Sequence, residues 1–544
     1  MKYLKTAIFI CFIFFMFPAR PLWANNLSIT NVSLESRTAS CDRVTVQFDI
    51  DWSNSWSDST NRDGVWVFFK VCKNSCSEWV HGKMKTSGTD PADTSGGSSG
   101  TDLTVEVPTD LAGAFLYRSS TGTGAVSTDN VELALDFAAS PLSASATDDI
   151  QVRVFGVEMV YVPTHSFYLG AEEDLSSSYH FFFNAGDSSD PRSTISIGSG
   201  TIYISEKSDG NGTWGDIAWD EDSDCGSLPS SRTALGANFP TGYDAFWVMK
   251  YEVSQALYRD FLNTLTTAAQ ANRVDDTTHN NFYTMYDRAT IQYRNIIKYK
   301  SSGTPFVCDL DGDHTGDEAD DGEWIAMGYM IYPDCAALAD WAGLRPITEM
   351  EFEKAALGTA SHAAVFASGS DSPTGRVYEP LSNGGTSSEV PDVQTSSNKA
   401  NWFSTSDSFI EGPLRVGWAA NATTDRGKAC ATYYGALDFS GNVAEYTVTI
   451  GNADGRAFEG SHGDGVLSTT SSYEGNATNT DWPGIDGTVA RGVTGAAGSG
   501  RRGGGFKDYP YTGRMQSRDD AADEVTSRDD GSIEGLGCRL GRSE

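Results

Sequence analysis

The chain has 544 residues, with 73 acidic against 39 basic side chains and a net charge of −34. That length exceeds one ordinary core and calls for two or three domains. So acidic a surface repels nucleic acid and anionic membranes, which excludes both as partners, and it suits the binding of cations.

The chain opens with MKYLKTAIFICFIFFMFPARPLWANN. Lys2 and Lys5 give a basic start, Ala7 to Phe17 an apolar run, and Ala24 a small residue placed for cleavage. The run is shorter than the ~20 residues a membrane span needs, so the expectation is a signal peptide over 1–24. The mature chain is then secreted, periplasmic or held at the cell surface, and contains no span. Beyond the leader stand Cys41, Cys72, Cys76, Cys225, Cys308, Cys335, Cys430 and Cys538. An even number in an oxidising compartment predicts disulfides. Cys72 and Cys76 are spaced to close a small loop, and the other pairings stay open. No paired cysteines with accompanying histidines stand at zinc-ligand spacing.

Residues 26–157 alternate apolar and polar side chains in VTVQFDID, GVWVFFKVC, LTVEV, GAFLYRS, VELALDF and DIQVRVFGVEM. Gly, Ser, Asp and Thr clusters separate these runs. The pattern predicts a β-sandwich domain of its own. Trp52 and Trp56 in DWSNSWSD are expected to pack in a core or turn rather than stack on sugar. Residues 170–240 are rich in Gly, Ser and Asp and read as an irregular insertion. Helical patterns follow at 254–270, with Ser254 as cap, and at 334–342. A third spans 348–358, where Thr348 and Glu351 form a capping box and Gly358 the stop. Glu349, Glu351 and Glu353 are expected to supply that cap and a solvated face. In DLDGDHTGDEADDGEW, Asp309, Asp311, Asp313, Asp317 and Asp320 approach calcium-loop spacing. His314 holds the glycine position, so a solvated acidic loop is the expectation there. From 359 onward the chain reads as loops and short strands.

Six ordered stretches carry a family resemblance. They are MVYVPTHSFYLGAEE, YDAFWVMKYEVSQALYRDFLN, DWAGLRPITEMEFEKAALG, YYGALDFSGNVAEYT, RRGGGFKDY and GLGCRLGR. Together they resemble the formylglycine-generating enzyme (sulfatase-modifying factor) family over about 160–544. The resemblance implies an α+β C-type-lectin-like domain over 158–544 with much irregular structure. It also implies a copper oxidase that uses two thiols just after the "RGGS" strand. Here that stretch reads GGGFKDYPYTGRMQSRDD, and no cysteine lies between Cys430 and Cys538. Thiolate chemistry and soft-metal binding need sulfur. No catalytic residue, copper site or iron site is therefore assigned, and no two histidines stand four apart as in the family's iron-dependent relatives.

The same resemblance implies calcium, which takes mixed carboxylate and carbonyl oxygens. In ALDFSGNVAEY the ligands would be Asp438, Gly441, Val443 and Glu445. A second set would be Asn401, Trp402, Asp407 and Phe409. Phe506, Asp508, Tyr509 and Tyr511 fall where the family places its substrate groove. The function expected is a secreted, calcium-stabilised module that binds an extracellular protein or glycan. Two alternatives remain: an oxidoreductase of the family with altered chemistry, and a variable display protein of a diversity-generating retroelement with its variable residues in 506–533.

Overall fold

The computed structural model describes residues 27–37, 43–76, 78–85, 100–137, 139–142, 144–145, 148–172, 180–185, 193–205, 215–275, 277–278, 280–286, 288–300, 306–371, 378–392, 400–402, 411–421, 424–529, 531 and 533–544. The expected signal peptide, Asp407 and Phe409 lie outside them. The N-terminal strands are β1 (Ser28–Arg37), β2 (Arg43–Ser57), β3 (Asp63–Lys73), β4 (Val80–Met84), β5 (Leu103–Glu106), β6 (Ala114–Arg118), β7 (Gly122–Asp136) and β8 (Ile150–Val162); the six alternating stretches supply all but β1 and β4. Strands β1, β2, β7, β4, β3 and β8 are neighbours in that order, all antiparallel. Val46, Phe48 and Ile50 of β2 and Leu133 and Leu135 of β7 share one buried cluster with Val65, Val67 and Phe69 of β3. The other face of β3 and β8 sends Trp66, Phe68, Phe155 and Val157 into a second, larger cluster. Period-two alternation thus feeds two cores, one on each face.

The sheet does not stop at residue 157. β9 (Phe246–Met249) pairs with the free edge of β8, with Phe246 opposite Val162 and Met249 opposite Met159. β14 (Leu540–Ser543) and β10 (Arg345–Pro346) extend it further. The division at 157/158 therefore falls inside one strand, and the separate 26–157 unit expected from sequence is not what the strands build. Side chains lock the two regions as well. Lys250 lies 3.0 Å from both Asp63 and Glu158, and Trp66 Nε1 donates to Ala342 O at 2.8 Å. Trp52 is buried and donates to Asp63, while Trp56 packs under Lys250, as the packing reading expected.

The described parts of 170–240, read as an irregular insertion, contribute short strands and side chains to the core. Phe182, Ile195, Ile204, Ile217 and Trp219 are buried in the larger cluster. Helix α1 (Gln255–Leu262) starts at Ser254, whose side chain accepts from Leu257 N. The 254–270 pattern is broken at Asn263, and α2 (Thr267–Ala271) begins again with Thr266 as cap. α3 (Tyr332–Ala342) ends at Gly343. α4 (Glu349–Leu357) has the Thr348–Glu351 capping box and stops at Gly358. β11 (Ala444–Val448) pairs antiparallel with β12 (Ser499–Arg502) and parallel with β13 (Leu536–Gly537). Disulfides join Cys72 to Cys76 and Cys335 to Cys538.

Candidate functional site

The turn 438–443 leads into β11. Asp438, Gly441 and Asn442 all have positive φ (62°, 83° and 71°). A Cβ on Gly441 would come within 2.7 Å of Asn401 O, so only glycine fits there. Asn442 is the hub of the turn. Its Nδ2 donates to Glu252 Oε2 at 2.6 Å, and its Oδ1 accepts from Leu414 N at 2.7 Å and from Asn401 Nδ2 at 3.3 Å. Glu252 Oε1 accepts from Val443 N at 2.9 Å. Asp438 Oδ2 accepts from Gly417 N.

Glu445 is fully buried, and Arg539 Nε donates to its Oε1 at 2.7 Å. Two further Arg539 nitrogens donate to Met249 O and Leu437 O, and its guanidinium lies 4.2 Å over the Phe439 ring. Three buried carboxylates thus lie around this guanidinium, with Arg415 acting on Asp438 as a second positive charge. Burial raises Glu252 well above its ordinary pKa, with Asp438 and Glu445 adding to the effect. Burial also raises Asp438, and it lifts Glu445 to about 6 against the pull of Arg539. Glu445 Oε2 is buried with no hydrogen-bond partner. That orphaned oxygen and the uncompensated negative charge fit a cation at this turn.

Sequence reasoning missed Glu252 and Arg539 as parts of the site. The signal was present: a Glu two residues after a Lys in the apolar FWVMKYEV, and an Arg in GLGCRLGR. Charges in core-forming runs require buried partners.

The second predicted set is only partly visible. Asn401 is buried and donates to Gly412 O and Asn442, so it braces the first turn. Trp402 is buried against Phe366. In the 309–324 loop, Asp309 is fully buried rather than solvated and pairs with Lys298. Asp311 and Asp313 are exposed and accept from nearby backbone N–H groups.

The α4 glutamates correct the expectation of a solvated face. Glu349, Glu351 and Glu353 are all at most 2% exposed. Glu349 pairs with Arg502 at 3.0 Å and Arg518 at 2.8 Å. Burial alone would raise Glu349, but these two guanidinium groups hold it below its ordinary value. Glu351 pairs with Arg345 at 2.6 Å. Glu353 accepts from Gly170 N and lies 3.4 Å from Arg502.

The loop after β12 splits the four predicted contact residues. Phe506 is buried, tilted against Tyr293 at 5.9 Å, and is packing rather than contact surface. Asp508 caps the turn by accepting from Gly505 N at 2.7 Å. Tyr509 and Tyr511 are 57% and 42% exposed, with rings stacked at 5.9 Å and 8° between planes.

Residues 184–531 match the family model of the sulfatase-modifying factor enzyme 1-like domain. The chain belongs to this family. No curated protein matches it. Among solved structures it is similar to Treponema denticola variable protein 1, at 12% identity over 72% of this chain and 96% of that one, with a TM-score of 0.24. As a sulfatase-modifying factor enzyme 1-like protein, the chain is mostly β with few and short helices. The loop that follows its Arg502–Gly505 stretch holds Asp508, the two exposed tyrosines and Gly513, and no sulfur before Met515.

Proposed function

We propose that this chain is an exported binding protein, whose C-type-lectin-like family domain presents the loop after β12 to a protein or glycan. One observation carries the reading. Where the family's oxidase chemistry needs thiols, this loop offers a stacked, exposed pair, Tyr509 and Tyr511. Paired tyrosines give contact area at low cost in side-chain entropy and keep a polar tip for hydrogen bonding.

Glycan and peptide arrays probed with the full-length chain test this. Replacing both Tyr509 and Tyr511 by Ala should weaken any hit at least tenfold, about 1.4 kcal/mol. An unchanged affinity would overturn the assignment of the loop. So would conversion of a Cys-x-Pro-x-Arg peptide to its aldehyde with copper and oxygen.

Calcium at the 438–445 turn is part of the proposal. Asp438 and Glu445 would hold it with the carbonyls of Gly441 and Val443. The orphaned Glu445 oxygen and the excess of buried carboxylates over the guanidinium groups of Arg539 and Arg415 support it. An ion bound only by the folded state adds about 2.7 kcal/mol at a hundredfold excess over Kd. The melting temperature should therefore be higher in millimolar calcium than in chelator. Asp438→Asn should shrink that difference. Glu445→Gln is the poorer probe, because it breaks the Arg539 pair with or without calcium. A parental melting temperature indifferent to calcium would sink this part.

A further inference from the structure

Away from the turn, three side chains from two separate segments converge. His180 Nδ1 lies 3.3 Å from Cys225 Sγ, and His180 Nε2 lies 3.1 Å from Asp222 Oδ2. One ligand atom from each of the three falls within 4.8 Å of the others. The spacing of zinc motifs could not show this, because position 180 is remote from 222 and 225.

The loop carrying two of these groups is rigidly built. Asp222 Oδ1 accepts from Asp224 N and Cys225 N at 2.8 and 2.7 Å, which leaves Oδ2 directed at the histidine. Trp219 Nε1 donates to Gly226 O at 3.0 Å. Gly226 has φ +85° and sits so close to Gly451 that a Cβ would come within 2.6 Å of its carbonyl oxygen. Arg518, which pairs with Glu349, lies 4.4 Å over Trp219 and donates to Cys225 O at 3.2 Å. The family core therefore clamps the loop from behind.

A second observation points to a missing ligand. Both carboxylate oxygens of Asp519 are shielded from solvent and have no hydrogen-bond partner of good geometry. Burial raises this acid, the nearby Ser517 opposes the rise, and the charges of His180 and Asp222 act on it. An orphaned carboxylate in the field of His180 and Asp222 adds negative charge that a cation would offset.

We propose that His180, Asp222 and Cys225 bind a divalent d-block ion of the zinc class. One nitrogen, one sulfur and one oxygen, with solvent in the fourth position, are donors zinc takes in four-coordinate sites, whereas calcium and magnesium want oxygen alone. Binding replaces the Cys225 thiol proton, which passes to solvent, by the metal. A Cys-His-Asp nucleophile is the competing use of the same geometry. It fails because Cys225 is 0% exposed and its thiol already donates to Asp220 O at 2.9 Å, so no substrate carbonyl can reach it. Asp222 and Gly226 also line an open cleft with Gly451, Asn452 and Arg456, which gives an ion a path to the site.

The test uses the full-length chain, stripped with chelator and titrated with Zn2+ and Co2+. One equivalent should bind, and cobalt should give a thiolate-to-metal charge-transfer band. Cys225→Ser and His180→Ala should abolish that band and weaken zinc at least about 100-fold, and Asp519→Asn about tenfold. Cys308→Ser, at another buried free thiol, and Asp438→Asn should change neither. If the variants fail to fold, X-ray absorption of the zinc-loaded parent decides, since one sulfur in the coordination shell is required. No stoichiometric binding, an all-nitrogen-and-oxygen shell, or a band that survives Cys225→Ser would overturn the site. Unchanged zinc affinity in Asp519→Asn would overturn the part given to its charge.

Discussion

In the N-terminal sheet, β2 and β7 register from Arg43 opposite Asp136 to Ser57 opposite Gly122, and backbone groups pair with backbone groups. The space behind them is filled by Val46, Phe48, Ile50 and their apolar neighbours. In the C-terminal region, no described strand after β8 exceeds five residues. There, buried side-chain charges do what a ladder does elsewhere. Asp340 accepts from the backbone of Asp464, Gly465 and Thr478, and Glu349 accepts from Ile450 N. Arg539 donates to two carbonyls from separate segments. Every buried backbone group needs a partner, and where loops replace strands the partner must be a side chain. A charge recruited for this needs a counter-charge, which explains why Arg345, Arg502, Arg518 and Arg539 are all buried beside glutamates.

The largest contrast should come from the disulfides. Cys335–Cys538 closes a loop with 203 residues of sequence separation, and Cys72–Cys76 one of only 4. On the chain-entropy account, removing them costs roughly 5 and roughly 2 kcal/mol respectively. Denaturant midpoints of the two Cys→Ala pairs check this. Equal losses would mean that the loop-rich region does not depend on its crosslink more than the sheet does.

Next come near-isosteric changes in each core. Glu349→Gln leaves Arg502 and Arg518 short of a buried counter-charge and should cost about 3–5 kcal/mol. Ile50→Val in the sheet removes one methylene and should cost about 0.5–1.5 kcal/mol. If the glutamate change costs no more than the valine change, buried ion pairs are not what holds the C-terminal loops.

The same contrast explains what could be read from the sequence. Alternation exposed six of the eight N-terminal strands, all but β1 and β4, because a side chain in a strand points to a face set by its own position. It did not expose the end of the region: β8 alternates no differently where it leaves β3 and meets β9. The family motifs located the 438–445 turn, the α4 cap and the loop after β12. They did not show that Glu349 and Glu353 are buried, because a glutamate on a helix reads as solvated unless its partner is known. Those partners, Arg502 and Arg518, lie some 150 residues away in sequence. His180 and Asp519 were invisible for the same reason, since their neighbours are assembled by loops with no periodicity. The short strands at 195–197, 203–204 and 217–218 were read as part of an irregular insertion because the surrounding Gly, Ser and Asp outweighed the few isoleucines that fill the core.

The smallest effect is a pH dependence, and it belongs to the C-terminal side. Burial pushes Glu353 up to about 7 from an ordinary 4.5, although Arg502 and Gly170 N pull it down. Between those two values the folded state keeps a proton that the unfolded state has released. Stability from this group is therefore complete below about pH 4.5 and is lost as pH rises through 7, by at most about 3 kcal/mol. Asp340 and Glu158 are raised by burial too, so the parent's profile sums several such losses. Glu353→Gln isolates one of them. The glutamine stays neutral and keeps an oxygen for Gly170 N, so the variant should lose stability less steeply than the parent between pH 5 and pH 8. Ile50→Val, in a core without charges, should differ from the parent by the same amount at every pH. Unfolding free energies of the three proteins at pH 5, 6.5 and 8 decide the matter, and parallel profiles for parent and Glu353→Gln would show that Arg502 keeps this acid ionised throughout.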